Sequence, residues 1–498
     1  MADFQNPQQE PGTEKRLVLV FILTFLVILG FQAWTKKYGP PPAVTPTNQT
    51  AQTQAGSSAA GSSAGSSSGE TASNLPAVPV PVGVTKQASS ETETVIENDL
   101  YRITFTNRGA QVKSWILKRF DNDAQNGRLD LVNPEAAAKF GYPLSLWTYD
   151  EGLRERLSSA LYVGSRAGSQ TSPTDVTFEY SDHDLSVHKT FRFDHSYVVS
   201  VETSVVYKGV AVGALPAWPS GFGDQVTPVN YAAGVIDYHS DASTDHTALV
   251  FPNYVLRLAI KNISGGNTLH GPFEWAGPAD QYFAAVFIPE DPGGASMVTQ
   301  RNSLQVLRDP QKKDSKETSN VDVLGAAVGN LRGPTVERVY VGPKELAVLE
   351  ATEVPAIKNG PADLRGLVDF GWWGILARPL FLWLKWMYGH VVANWGWAIV
   401  LQTLIISVLL MPLRITQMKS MLKMQRVAPQ IKSIQDKYKK YSLRDPRKAG
   451  MNEEISALYK KEGVNPAGGC LPMLIQFPFL IAYYRMLGTA LDLRHAHW

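Results

Sequence analysis

Cysteine is nearly missing from this sequence. Cys470 is the only one among 498 residues, so no internal disulfide can brace a domain. Charge is sparse, at 18% Asp, Glu, Lys and Arg, and almost balanced at a net +2. Its information lies in where it sits. Metal-ligand spacings and nucleophile motifs are lacking as well. His188, His195, His246, His270 and Glu274 stand apart from one another, so no metal, no cofactor and no enzymatic activity are expected. They read as parts of a solvated surface; a sugar-binding or enzymatic role stays open with no residue pattern behind it. Bulky apolar residues are almost absent between Gln49 and Asn74, and Pro40 to about Thr94 is rich in Pro, Gly, Ser, Thr, Ala and Gln. Such a stretch cannot bury a core and reads as a disordered tether.

What is present is 44% hydrophobic, too apolar for a chain disordered throughout and long enough for more than one domain. Leu17–Trp34 is an apolar run of about 18 residues between Lys15-Arg16 and Lys36-Lys37, at the lower end of bilayer-spanning length. A cleaved signal peptide is the alternative, but the run is long for one and no small-x-small cleavage site follows. Trp395–Leu413 is apolar apart from Gln402, Thr403 and Ser407, and Leu471–Leu491 apart from Gln476, Arg485 and Thr489. Both are expected to span. Leu367–Val392 is rich in Trp, Phe and Leu but broken by Arg378, Pro379 and Lys385. That pattern suits a helix lying in the membrane interface, or a buried amphipathic helix of the preceding domain.

Between the last two spans stand 13 Lys and Arg, from Arg414 to Lys461, against five Asp and Glu. By the positive-inside rule this loop is cytoplasmic. The region from about residue 39 to 390 is then outside and the N-terminus inside. In that outer region short alternating segments recur, such as Tyr101–Thr106, Val187–Phe193, Tyr197–Val205 and Val255–Ile260. Alternation with turn residues between argues antiparallel strands, and a β-sandwich is the simplest architecture. Within the basic loop, Met424, Val427, Ile431, Ile434, Tyr438 and Tyr441 form one stripe by threes and fours. Asp445-Pro446 starts a second helix, carrying Met451, Ile455 and Leu458. The pair makes a hairpin whose bases suit anionic lipid headgroups, ribosomal RNA or a nascent chain.

Asn394-Trp-Gly-Trp-Ala-Ile, Met411-Pro-Leu-Arg, Met418-Lys-Ser-Met, Gln425 to Pro429 and the long run Leu458–Pro478, with its Glu-Gly-Val-Asn-Pro-Ala-Gly-Gly-Cys-Leu-Pro-Met, closely resemble the YidC insertase family. The resemblance covers about residues 365–498. The upstream order of anchor, tether and large β-domain is similar to the family's form in bacteria with two membranes. It implies a multi-pass α-helical membrane protein of the cell inner membrane, with a large all-β periplasmic domain (a β-supersandwich) and a cytoplasmic helical hairpin. The expected boundaries are an N-terminal tail and anchor at 1–38, a linker at 39–94 and the β-domain at 95–360. An interfacial helix follows at 363–392, then a span at 394–413, the basic hairpin at 414–465, a second span at 467–492 and a periplasmic end at 493–498.

The resemblance further implies an insertase and chaperone for nascent membrane proteins, alone or beside the Sec translocon, with ribosome and anionic lipid as further partners and no DNA. Family members use no nucleotide hydrolysis. Five helices form a polar groove open to lipid and cytoplasm, which receives a hydrophilic part of the substrate while apolar segments slide into lipid. Here the groove is expected to take Thr403, Ser407, Arg414, Gln476, Tyr483 and Arg485, with Thr403, Ser407 and Arg414 along one face of one helix. The hairpin contacts are expected from Lys437, Lys439, Lys440, Arg444, Arg447 and Lys448. Ser407 stands where the family has its groove arginine. Arg485 is expected to replace it, with snorkelling to the outer interface as the alternative. The sequence stops at Trp498, after the second of five core helices, and is expected to be a fragment. The competing function is a membrane-anchored β-domain that binds a carbohydrate or an envelope protein.

Overall fold

A computed structural model describes residues 85–240, 255–258, 260, 263–308, 317–355, 363–368, 370, 373–439, 441, 447–463 and 471–496. The expected N-terminal span and most of the expected tether lie outside these residues. The chain forms two compact units. One comprises Met1–Asp280, Ala285–Gly342 and Val354–Ala362; the other comprises Gln281–Ala284, Pro343–Glu353 and Asp363–Trp498.

The first unit is largely β. A ten-stranded sheet runs in the order Leu256–Leu258, Val235–His239, Trp275–Ala279, Phe283–Pro289, Thr335–Pro343, Val198–Tyr207, Leu185–Phe193, Thr174–Ser181 and Val163–Gly164, with Val210–Val212 also paired to Val198–Tyr207. A five-stranded sheet orders Arg128–Asp130, Gln111–Asp121, Tyr101–Thr106, Glu93–Glu97 and Gly168–Thr171. A second five-stranded sheet orders Asn267–His270, Ala295–Leu307, Thr318–Asn330, Leu215–Trp218 and Ser145–Trp147. Alternation builds these strands. Along Val198–Tyr207, Val199, Val201, Thr203 and Val205 are buried while Ser200, Glu202 and Ser204 are less so, as a period of two requires.

The inner faces meet through aromatic rings. Phe105 of the first five-stranded sheet lies 5.8, 5.0 and 5.9 Å from Phe178, Phe191 and Phe193 of the ten-stranded sheet. Trp115 lies 6.0 Å from Trp218 of the other five-stranded sheet. Three short helices, α1 (Pro134–Phe140), α2 (Glu151–Ser159) and α3 (Pro228–Ala232), are capped by the side chains of Asn133, Asp150 and Thr227, and Ala136 and Tyr231 of α1 and α3 pack on Leu304, Val306, Val321 and Val323. Sheet structure begins at Glu93 rather than after residue 94, and Lys86 already pairs with Ser181 through both backbone groups. The tether therefore ends earlier than its composition suggests. Of the four alternating segments singled out, Val255–Ile260 is strand at Leu256–Leu258 among its described residues.

The second unit is helical: α4 (Leu346–Glu350), a 3-10 turn at Arg365–Leu367, α5 (Gly374–His390), α6 (Trp395–Leu409), α7 (Met411–Lys437), α8 (Arg447–Lys461) and α9 (Leu471–Thr489). The apolar face of α5 carries Ala377, Phe381, Leu384 and Met387, which pack with Ala398 of α6 and Ala482, Met486 and Ala490 near α9's end. The alanines let these backbones approach closely. Around this seam Glu350 pairs with Arg378 at 2.9 Å, and Lys385 stands between Glu345 and Asp492.

The helix expected over 394–413 stops at Leu409. Pro412 has no N–H to give the carbonyl of Val408, and its ring crowds that carbonyl. The chain bends there by 53° and resumes as α7. Among the described residues no single helix is long and apolar enough to cross a membrane. The bent pair α6 and α7 meets that length and composition together.

Candidate functional site

The polar residues of the helical unit divide into two groups. The first is a buried seam. Gln402 is fully buried on α6; its Nε2 donates to the carbonyl of Leu380 on α5 at 2.9 Å, and its Oε1 accepts from the Tyr483 hydroxyl of α9 at 3.3 Å. One amide thus bridges three helices, satisfying in the interior what water would otherwise supply. Gln476 is half-buried and seven residues before Tyr483, so it lies on the same face of α9. The entry of the chain into α6 is fixed nearby: Asn394 caps the helix through Trp397 N–H, and Trp395 stacks on Tyr388 with centroids 4.0 Å apart.

The second group lies on open faces. Thr403 is exposed, its hydroxyl donating to the Val400 carbonyl at 2.8 Å, and Ser407 is half-buried one turn on. Leu404, Val408 and Leu409 around them are exposed as well. Arg485 is exposed on α9, two residues past Tyr483 and so about 200° round the helix from the seam. Arg414 is exposed on α7. The break at Leu410 removes it from the α6 face expected to hold Thr403, Ser407 and Arg414 together. Of the six groove residues, the structure joins Tyr483, through Gln402, to α6, sets Gln476 on the same side, and leaves Thr403, Ser407 and Arg485 on exposed faces.

Gln402 was visible in the sequence only as a blemish in an apolar run. It is about 100° round the helix from Thr403 while Ser407 follows Thr403 by one turn, and that offset was the signal that two different faces are polar.

The hairpin forms as α7 and α8, with Val427 buried and Met424, Ile431, Ile434, Tyr438 and Tyr441 half-buried along the expected stripe. Lys437, expected to meet a partner, pairs with Glu454 of α8 at 2.7 Å, and the Tyr438 hydroxyl donates to the same oxygen at 2.9 Å. Those contacts lower the Glu454 carboxyl and raise the Lys437 ammonium from their ordinary values. Lys439 is exposed. Arg447 and Lys448 open α8, while Lys440 and Arg444 lie outside the described residues.

Two family models match adjoining stretches of the chain. Residues 93–383 match a family model described as the YidC periplasmic domain, and residues 386–498 match one described as the 60Kd inner membrane protein. A membrane protein insertase YidC from Pelobacter propionicus is 29% identical over 490 residues, 97% of this chain and 82% of that protein. One from Methylobacillus flagellatus is 27% identical over 496 residues, with 97% and 82% covered. One from Wolinella succinogenes is 36% identical over 219 residues, 44% of this chain and 35% of that protein.

Proposed function

The chain belongs to the YidC family of membrane protein insertases, and from that premise we propose how its parts divide the work. It is an insertase and chaperone of the inner membrane, with a periplasmic β-domain, acting on nascent membrane proteins. The observation that carries this is the pair of family matches set end to end, 93–383 and 386–498.

The finer assignments are these. The bent stretch from α6 into the start of α7 crosses the bilayer, and α9 does so despite the polar Gln476 and Arg485 that lower its apolar character. Helix α5 lies at the outer interface, and the rest of the α7–α8 hairpin is cytoplasmic, where its surplus of positive charge belongs. The Gln402–Tyr483 seam is scaffold: it locks α5, α6 and α9. Thr403, Ser407 and Arg485 face the substrate. A polar substrate segment in hydrocarbon costs several kcal/mol per unsatisfied group; a polar wall shortens that crossing, and burial of the substrate's apolar helix drives the step. Lys439, Lys440, Arg444, Arg447 and Lys448 attract the ribosome and anionic lipid, and the Sec translocon is a further partner.

The test is reconstitution of the full-length protein into liposomes with a single-span substrate bearing a short polar N-terminal tail. Protease protection of the translocated tail is expected to exceed that in protein-free liposomes. Equal protection would overturn the reading. Single cysteines at Ser200 and Ser433, introduced into intact cells, are expected to label with an impermeant reagent at Ser200 only; labelling at Ser433 from outside would overturn the topology.

A further inference from the structure

Helix α7 carries two apolar stripes, and only one is covered. The covered one runs through Met424, Val427, Ile431 and Ile434, with Val427 4% exposed. The other is Met411, Ile415, Met418 and Leu422. Steps of four, three and four put these on one face, a stripe about 16 Å long at 1.5 Å per residue. They are 55%, 38%, 59% and 51% exposed. Met418 and Val427 are nine residues apart, so the two stripes lie on opposite sides of the helix.

Charge frames the open stripe. Arg414, Lys419, Lys423, Arg426 and Lys432 are basic, and no Asp or Glu occurs from Met411 through Gln435. By helical position, Arg414 flanks the stripe on one side and Lys419 and Arg426 on the other. Continuing the spacing past Leu422 reaches Gln425 and Arg426, where the stripe ends. Upstream it joins the apolar α6 directly across the 53° bend. An apolar centre between basic flanks, immediately after a bend out of an apolar helix, is the pattern of a helix lying in a membrane interface.

We propose that the first three turns of α7 lie flat on an anionic bilayer surface, with Met411, Ile415, Met418 and Leu422 in the acyl boundary and Arg414, Lys419, Lys423 and Arg426 on lipid phosphates. The long stems of Lys and Arg allow this, since they lie along apolar surface while their charges reach the headgroups. Unbranched Met adapts to a disordered acyl layer better than a β-branched residue. The 53° bend sets the geometry: with these turns of α7 along the surface, α6 runs into the bilayer tilted about 37° from its normal. This rests on the placement of α6 in the membrane and the hairpin in the cytoplasm proposed above.

The test uses the full-length protein with Cys470→Ser and single cysteines, Met418→Cys on the stripe and Gln430→Cys beyond it, each labelled with an environment-sensitive fluorophore. Vesicles are phosphatidylcholine alone or with about 30% phosphatidylglycerol, each with acyl chains brominated near the headgroup. No ribosome or substrate is present, so insertion failing and this contact failing are separate results. The Met418 label is expected to be blue-shifted and quenched by bromine in anionic vesicles, at least about twofold more than in neutral ones, because the basic flanks drive the contact. High salt should reduce that excess, and the Gln430 label should be quenched by aqueous iodide instead. Substituting Arg414, Lys419, Lys423 and Arg426 with Gln should abolish the anionic preference while the Gln430 label is unchanged. A Met418 label open to iodide and untouched by bromine would overturn the proposal. So would a label that leaves water only when a translating ribosome with an apolar nascent chain is added, which would make the stripe a substrate site.

Discussion

The Nζ of Lys189 donates to the carbonyl of Ala110 at 2.6 Å, and Ala110 holds a left-handed φ of +47°. The same ammonium donates to Leu144 at 2.7 Å and Gly109 at 3.1 Å, whose φ values are +60° and +68°. All three acceptors thus sit where L-residues other than glycine rarely go, at a cost of roughly 1–2 kcal/mol for each of the two non-glycines. Lys189 is fully buried in the ten-stranded sheet and ties two turns to it. Burial pushes its ammonium down to about 7; the three carbonyl oxygens oppose that by binding the charged form.

Lys189→Met keeps the stem and removes the three donors. The β unit is expected to lose about 3 kcal/mol of stability, from buried carbonyls left unpaired and strained turns left unanchored. Urea unfolding followed by circular dichroism checks this. A loss below about 1 kcal/mol would mean that other donors serve those carbonyls.

Glu337 presents the opposite case. It is 1% exposed on Thr335–Pro343, and among the described residues neither carboxylate oxygen has a hydrogen-bond partner. Burial holds its carboxyl protonated well above the ordinary 4.5. Below that value both folded and unfolded chains carry the proton and stability is unaffected. As pH rises past it, the unfolded chain ionises and the folded one does not, so stability falls by up to about 1.4 kcal/mol per pH unit until the folded value is reached. Glu337→Gln is expected to remove that slope. Unfolding midpoints of the two proteins should separate progressively from pH 5 to 8, with the variant above; a gap independent of pH would show that the carboxylate is stabilised as an anion.

Much of this was legible beforehand because period two survives folding. Val187, Lys189 and Phe191 alternate with His188 and Thr190, so the strand already points the lysine inward. What it meets there depends on two turns some 45 and 80 residues away, which no local pattern encodes. The bend at Leu410 was missed for a different reason. Hydropathy averages across Pro412 as though it were one more apolar residue, while its missing N–H acts on a single turn. Gln402 and Ser407 look alike in such an average and lie on different sides of α6. The expected cap and first-turn proline, Asp445-Pro446, lie outside the described residues, and α8 is described from Arg447.

The hairpin lysines are expected to separate by their partners. Lys437 is held by Glu454, so Lys437→Gln should mainly loosen the hairpin, and slightly, because an exposed pair is largely screened by water. Lys439 is exposed, and Lys439→Gln with Lys440→Gln should weaken ribosome binding more at low salt than at high salt, because surface attraction is screened over about 10 Å at 0.1 M. Co-sedimentation with ribosomes across a salt series checks both. The ranking fails if Lys437→Gln alone reproduces the double variant's salt dependence.

Arg485 is the residue on which insertion is expected to turn. It is exposed on α9, on the side away from the Gln402–Tyr483 seam, so its charge serves no contact within that seam. An ionisable residue inside an apolar helix is costly and is retained where it meets water, substrate or a partner. Thr403 and Ser407 are likewise turned away from the seam and are the polar positions on an otherwise apolar open face of α6. Against this stands snorkelling: Arg485 lies seven residues before Asp492, about 10 Å along the helix, within reach of the outer headgroups. The two readings separate by rescue. Arg485→Ala is expected to lower insertion of a substrate with an acidic tail at least tenfold, as the loss of about 1.4 kcal/mol at the barrier would, and to spare a substrate with an uncharged tail. Adding Ser407→Arg should restore the acidic substrate, because a groove charge can be moved to the opposite wall while an interfacial anchor cannot. If Arg485→Ala inserts both substrates normally, the residue is an anchor. If it impairs both equally and Ser407→Arg does not help, its role is in the stability of α9 and the substrate-facing assignment fails.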